Sequence, residues 1–289
     1  MTKTAWVFPG QGAQTVGMGA DLADESAELF AQAKDILGWS VLDVCQNEEK
    51  IASSLYTQPC LYVVECALAN ILMANGQQPD VVAGHSLGEY SALYAAGVFD
   101  FAAGLRLVKR RAELMSQASE GTMAALMGFK RDELDAKIAE TEGVVLANDN
   151  NAGQVVISGT PEAVDAVIEG VKTKRAVKLN VSGAFHSPLM AEAADAFESV
   201  LAEVPFQDAK VPVMSNVDPT PETAAAALKE RLRAQMTGSV RWREISLGLP
   251  AQGIEAVVEV GPGKVLTGLI KRTCKGLDLK NVNSLEAIA

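Results

Sequence analysis

The sequence predicts an α/β protein in which a large domain on a parallel sheet is interrupted by a small ferredoxin-like insertion. As far as about Ser119, strand-like apolar runs alternate with helical stretches, the order that builds parallel sheets. From Met123 to Val181 the order becomes β-α-β-β-α-β, the ferredoxin-like signature. Helix and strand then resume, and the nearly continuous apolar run Ala256 to Val260 returns the chain to the large sheet. The expected division is 1–121 with 183–289 for the large domain and 122–182 for the insertion.

Taken in order, Thr4 to Phe8 reads as a strand, Gly10 to Gly19 as a glycine loop, and the stretch to Ala74 as helical. Val81 to Ala83 is a short buried strand, followed by a helix from Glu89 to Ala96 that Gly97 ends. The insertion reads as strand Met123 to Met127, helix Arg131 to Glu140, strands Val144 to Ala147 and Val155 to Ser158, helix Pro161 to Val171 and strand Ala176 to Val181. Asn148 to Gly153 is composed of turn-tolerant residues, so a loop is expected there. Thr160 caps the second helix, with Pro161 at its first position. Val211 to Met214 is a further strand.

The 289 residues are enough for a large core, and 48% hydrophobic with 21% charged residues is ordinary for a globular chain. The longest apolar stretch, Cys60 to Met73, is broken by Glu65 and Asn70, so no membrane span is expected. No signal-peptide pattern precedes the first strand, and a cytoplasmic location is expected. Cys45, Cys60, Cys66 and Cys274 lack C-x-x-C spacing and are read as reduced thiols. With only two histidines and no clustered ligands, no metal and no cofactor are expected. A net charge of −11 argues against broad nucleic-acid binding. A monomer is expected.

Gly84-His85-Ser86-Leu87-Gly88 has the G-x-S-x-G pattern between a strand and a helix, which exposes a serine on a sharp turn. The helix N-terminus aims free N–H groups at negative charge developing beside Ser86, as acyl transfer requires. Serine needs a base, and His186 in Phe185-His186-Ser187-Pro188 is placed where the chain re-enters the cleft. His85 leaves the opposite side of the turn and is read as packed support. For a third member, Asp132, Asp135, Asp149 and Asp165 fall between serine and histidine, and a dyad braced by a backbone carbonyl is equally allowed.

Pro9-Gly10-Gln11-Gly12-Ala13-Gln14 follows the first strand but fails as G-x-G-x-x-G, because Thr15 stands at the third glycine. Its glycines permit close backbone approach, so that the Gln11 N–H could join that of Leu87 in an oxyanion hole; a plain turn is the alternative. Arg111 lies at the edge of an apolar helical stripe formed by Phe101, Gly104, Leu105, Val108, Ala112 and Met115. An inward guanidinium needs an anion, either a substrate carboxylate or an internal Asp or Glu.

Together these segments resemble the malonyl-CoA:acyl carrier protein transacylases and the related acyltransferase domains of polyketide synthases. Arg111-Ala112-Glu113-Leu114-Met115, Gln154 to Gly159, Phe185 to Met190 and Glu259 to Leu266 follow the two glycine motifs in family order. The resemblance implies an α/β-hydrolase-like core, Ser86 as the acylated nucleophile and His186 as its base. It further implies Gln11 and Leu87 as oxyanion donors, Arg111 as the clamp on the malonyl carboxylate, and the Gln235 carbonyl in place of a triad acid. Ser239 stands where the family usually has proline, which puts the backbone near Gln235 in question. Met115, Phe185 and Asn148 (or Asn150) are expected to line the pocket, with Phe185 crowding a C2 methyl group. Malonyl-CoA and acyl carrier protein are the implied partners, and fatty acid synthesis the implied destination. The rival readings are a serine esterase or thioesterase, and a non-catalytic module whose Gly261-Pro262-Gly263 turn holds phosphate.

Overall fold

The computed structural model describes residues 2–118 and 120–288, so the helix end expected at Ser119 lies outside the described residues. The described strands are β1 (Thr4–Phe8), β2 (Val81–Gly84), β3 (Thr122–Met127), β4 (Val144–Asn151), β5 (Gln154–Gly159), β6 (Arg175–Lys178), β7 (Val213–Met214), β8 (Ala256–Val260) and β9 (Asp278–Val282). One sheet has the order β7-β2-β1-β8-β9 with every pairing parallel. The other has the order β4-β5-β3-β6 with every pairing antiparallel, the ferredoxin-like arrangement.

Strand alternation divides the parallel sheet between two apolar layers. Trp6, Phe8, Val82, Val258 and Val260 face the larger layer, which is filled by the helix Ser54–Ala74. Ala5, Val7, Val81, Ala83 and Val257 face the smaller one, with Trp242, Ile245 and Ile270. The helix Ser54–Ala74 is long and apolar enough to cross a membrane, but 78% of its most apolar stretch is buried inside the protein, as befits a core helix. The four cysteines are free, and Cys45, Cys60 and Cys66 are buried.

Several expected elements form with small changes of boundary, among them the helix Pro161–Gly170, where the Thr160 side chain caps Ala163 N at 3.2 Å. The expected loop at Asn148 to Gly153 is corrected: β4 continues through Asn151, and only Ala152 and Gly153 turn. Two register shifts, at Leu146/Asn148 and Asp149/Asn151, let these polar residues stay in the ladder. A second partner also supports the extension, since Asp149 N donates to Val240 O (2.9 Å) and Val240 N to Ala147 O (2.8 Å). β9 has no counterpart in the sequence reading.

Candidate active site

The elbow is built by glycine. A Cβ at Gly84 would lie 1.9 Å from Gly88 C, and one at Gly88 would lie 2.0 Å from Phe8 O, so neither position tolerates a side chain. Between them Ser86 takes φ 52°, and His186 takes φ 57°; they are the two non-glycine residues with positive φ among the described residues. A left-handed residue with a side chain costs about 1–3 kcal/mol, and such strain gathers at functional sites.

These two strained residues meet. Ser86 Oγ and His186 Nε2 are 2.8 Å apart. His186 Nδ1 faces two carbonyl oxygens, Gln235 O at 3.0 Å and Gly238 O at 3.1 Å, so the ring proton sits on Nδ1 and Nε2 accepts from the serine. Burial first, and then the Arg111 charge, push the His186 imidazole down to about 3, which leaves it neutral. The candidate aspartates do not take part. Asp135 and Asp149 pair with Arg131, Asp165 pairs with Lys178, and His186 Nδ1 is occupied by the carbonyls. Ser239 keeps its segment anchored, because its hydroxyl donates to Ala147 O at 3.2 Å beside the paired Val240.

Arg111 is 1% exposed and reaches the same serine: Nη2 donates to Ser86 Oγ (3.0 Å) and to Gln235 Oε1 (3.3 Å), and Nη1 to Gln58 Oε1 (2.7 Å). The Tyr90 ring lies 5.5 Å from the guanidinium. All three oxygen partners are neutral, which overturns the alternative of an internal salt bridge. Met115 lies beside this arrangement, its Sδ accepting from Gln58 Nε2 at 3.4 Å.

Ser86 N donates to Asn216 Oδ1 at 2.7 Å and is therefore not free to bind an oxyanion. Leu87 is buried at the head of the helix Gly88–Ala95, and Gln11 is fixed by its side chain, which donates to Ser54 Oγ at 2.8 Å. His85 turns away as expected: its Nε2 lies 2.9 Å from Asn150 Oδ1, its ring packs against Trp242 at 5.6 Å, and burial lowers its affinity for a proton. Asn148 is half-buried with an unpartnered Oδ1 and makes no hydrogen bond to Ser86, His186 or Arg111. Phe185 is buried next to His186. A cavity of about 280 Å³, lined by Leu114, Gln117, Leu189 and Met190 among others, lies beside the helix of Arg111 and the turn after His186.

The Gly261-Pro262-Gly263 turn is not a phosphate cradle. The Glu259 carboxylate already accepts from Leu266 N (2.9 Å), Thr267 N (2.8 Å) and Asn281 Nδ2 (2.9 Å), filling the helix start with a negative charge.

A paired serine and histidine with a buried cation on the same oxygen fits acyl transfer. The sequence family described as "Acyl transferase domain" matches residues 5–288. The chain belongs to this acyl transferase family. A malonyl CoA-acyl carrier protein transacylase of Synechocystis is 58% identical over 98% of both chains, and that of Escherichia coli K12 is 42% identical over 100% of this chain and 98% of its own. Among solved structures, the Synechocystis malonyl-CoA:ACP transacylase superposes with a TM-score of 0.97 at 57% identity, covering 99% of both chains. A malonyl-transacylase solved in complex with a type II polyketide acyl-carrier protein gives 0.93 at 38%, covering 99% of this chain and 98% of its own. The acyl transferase fold thus holds over the whole described length.

Gln58, Glu89 and Asn216 carry no signal in the sequence, although each holds a site residue. Glu89 resembles any acidic residue in a first helical turn, and Asn216 any polar residue after a strand.

Proposed function

We propose that this chain transfers the malonyl group from malonyl-CoA to the phosphopantetheine thiol of acyl carrier protein. The observation that carries this reading is the position of Arg111 Nη2, 3.0 Å from the oxygen that His186 also engages. An acyl group on Ser86 that ends in a carboxylate would meet a buried guanidinium without a carboxylate partner.

His186 Nε2 takes the Ser86 proton as Oγ attacks the thioester carbon. The tetrahedral oxyanion is held by the N–H groups of Gln11 and Leu87 and collapses with loss of coenzyme A, to which His186 returns the proton. In the second half His186 deprotonates the carrier thiol, sulfur attacks the malonyl-serine ester, and Ser86 leaves with the proton restored. Gln235 keeps the imidazole oriented through its carbonyl. Met115, Phe185 and Asn148 shape the acyl pocket, and the cavity beside Leu189 admits the pantetheine arm. Residues 122–182 act as a subdomain against the large domain, 1–121 with 183–289. The product serves fatty acid synthesis, and the protein works as a cytoplasmic monomer without metal or cofactor.

Intact-protein mass spectrometry after brief exposure to malonyl-CoA and then to phosphopantetheinylated carrier tests the reading, with Ser86→Ala alongside. A malonyl adduct on the wild type alone, cleared onto the carrier, is expected. Rapid release of free malonate without carrier would show a hydrolase instead.

A further inference from the structure

Glu89 is fully buried in the first turn of the helix Gly88–Ala95, three positions after Ser86. Its Oε2 accepts from Gln235 Nε2 (2.8 Å) and from Asn216 N (3.1 Å). Gln235 Nε2 also donates to Ser86 O (2.9 Å), which leaves Gln235 Oε1 facing Arg111 Nη2 (3.3 Å). A carboxamide has nearly the same shape either way round, so its partners decide which end is the oxygen. Turned over, this one would set NH₂ against the guanidinium and oxygen against the Glu89 carboxylate, two like-for-like contacts. Arg111 at the oxygen end and Glu89 at the NH₂ end are the charged partners of this amide. Burial raises the proton affinity of Glu89, while the hydrogen bonds from Gln235 and Asn216 and the Arg111 charge favour its carboxylate form. Charge-assisted hydrogen bonds are about twice as strong as neutral ones.

We propose that Glu89 is a positioning residue for acyl selectivity: by fixing the Gln235 amide it steadies Arg111 with a neutral oxygen and leaves the guanidinium charge for the acyl carboxylate. This deepens the malonyl-transfer reading and rests on it. A carboxylate at the Gln235 position would pair with Arg111 directly and compete with substrate. An apolar group there would leave the guanidinium loose. The amide held by Glu89 avoids both, and it links selectivity to the same residue whose carbonyl orients His186.

The test is acylation of the full chain by malonyl-CoA and by acetyl-CoA, followed as adduct formation, in the wild type, Glu89→Gln and Glu89→Met. Methionine matches the length of glutamate without its acceptor oxygens. In Glu89→Met the malonyl-over-acetyl ratio of second-order acylation rates is expected to fall about tenfold or more, the loss falling on malonyl. Glutamine keeps an acceptor but loses the charge, and the ratio is expected to fall roughly threefold. An equal loss with both donors, or an unchanged ratio, in Glu89→Met overturns the proposal. If that variant does not fold, Glu89→Gln decides by the same criterion. A wild type that takes up no malonyl group would instead refute the malonyl-transfer reading.

Discussion

Arg111 Nη2 donates to Ser86 Oγ at 3.0 Å while His186 Nε2 engages that oxygen from 2.8 Å. The nucleophile is therefore polarised by a cation on one side and relieved of its proton on the other. On the proposed chemistry, the carboxylate of an arriving malonyl group and the serine oxygen compete for one guanidinium. Arg111→Ala should lower malonyl acylation by about 2–4 kcal/mol in activation free energy, and acetyl acylation by far less. Arg111→Lys should not restore selectivity, because a lysine ammonium cannot form the two-pronged contact. Parallel kcat/KM measurements with the two donors check both outcomes.

With His186 as the proposed base, its lowered proton affinity is expected to set the pH dependence. Its folded value, about 3, lies below the ordinary value of about 6.5, so the base stays neutral well below pH 6. The acid limb of kcat/KM should thus lie far below 6.5. Arg111→Ala removes one of the two main causes and should move that limb upward. The sign for stability follows: between pH 6.5 and about 3 the unfolded chain binds the proton that the folded chain refuses, so this residue makes stability rise with pH across that window. His85, lowered in the same direction, adds to the effect. Denaturant titrations at pH 7 and pH 5 measure it.

Strain at the elbow predicts a stability difference between two inactive variants. Ser86→Gly accepts φ 52° freely and Ser86→Ala does not, so the glycine variant should be more stable by about 1 kcal/mol. For a chain of this size that is a difference of about 2 °C in Tm.

Glu259 predicts a purely structural effect. Its carboxylate satisfies two helix-start N–H groups and the Asn281 amide, all buried or half-buried. Glu259→Ala should destabilise the protein by about 2–4 kcal/mol, while the folded fraction keeps its malonyl-over-acetyl ratio.

Local chemistry made much of this legible in the sequence. The strand–serine–helix order, the inward phase of Arg111 and the β-α-β-β-α-β order of the antiparallel sheet all follow from spacing along a few turns or strands. What stayed hidden depends on partners distant in the chain. Asn148 to Asn151 look like a loop by composition and become strand because the Val240 segment pairs with them. β9 is a half-exposed edge strand whose Asp-Leu-Lys-Asn-Val carries little strand signal. Asn216 reaches Ser86 across 130 positions with no local pattern to announce it, whereas Gln235, which reaches it across 149, is legible only through its resemblance to a family motif and not by its own spacing.

The serine and its histidine lie 100 positions apart, and the carbonyls that orient the histidine lie a further 49 and 52 positions on. On the proposed chemistry Ser86 is an ordinary alcohol until both stretches have come home, so a growing or misfolded chain holds no reactive hydroxyl to squander coenzyme A thioesters. One malonyl mark per molecule then counts, covalently, the chains that have finished folding.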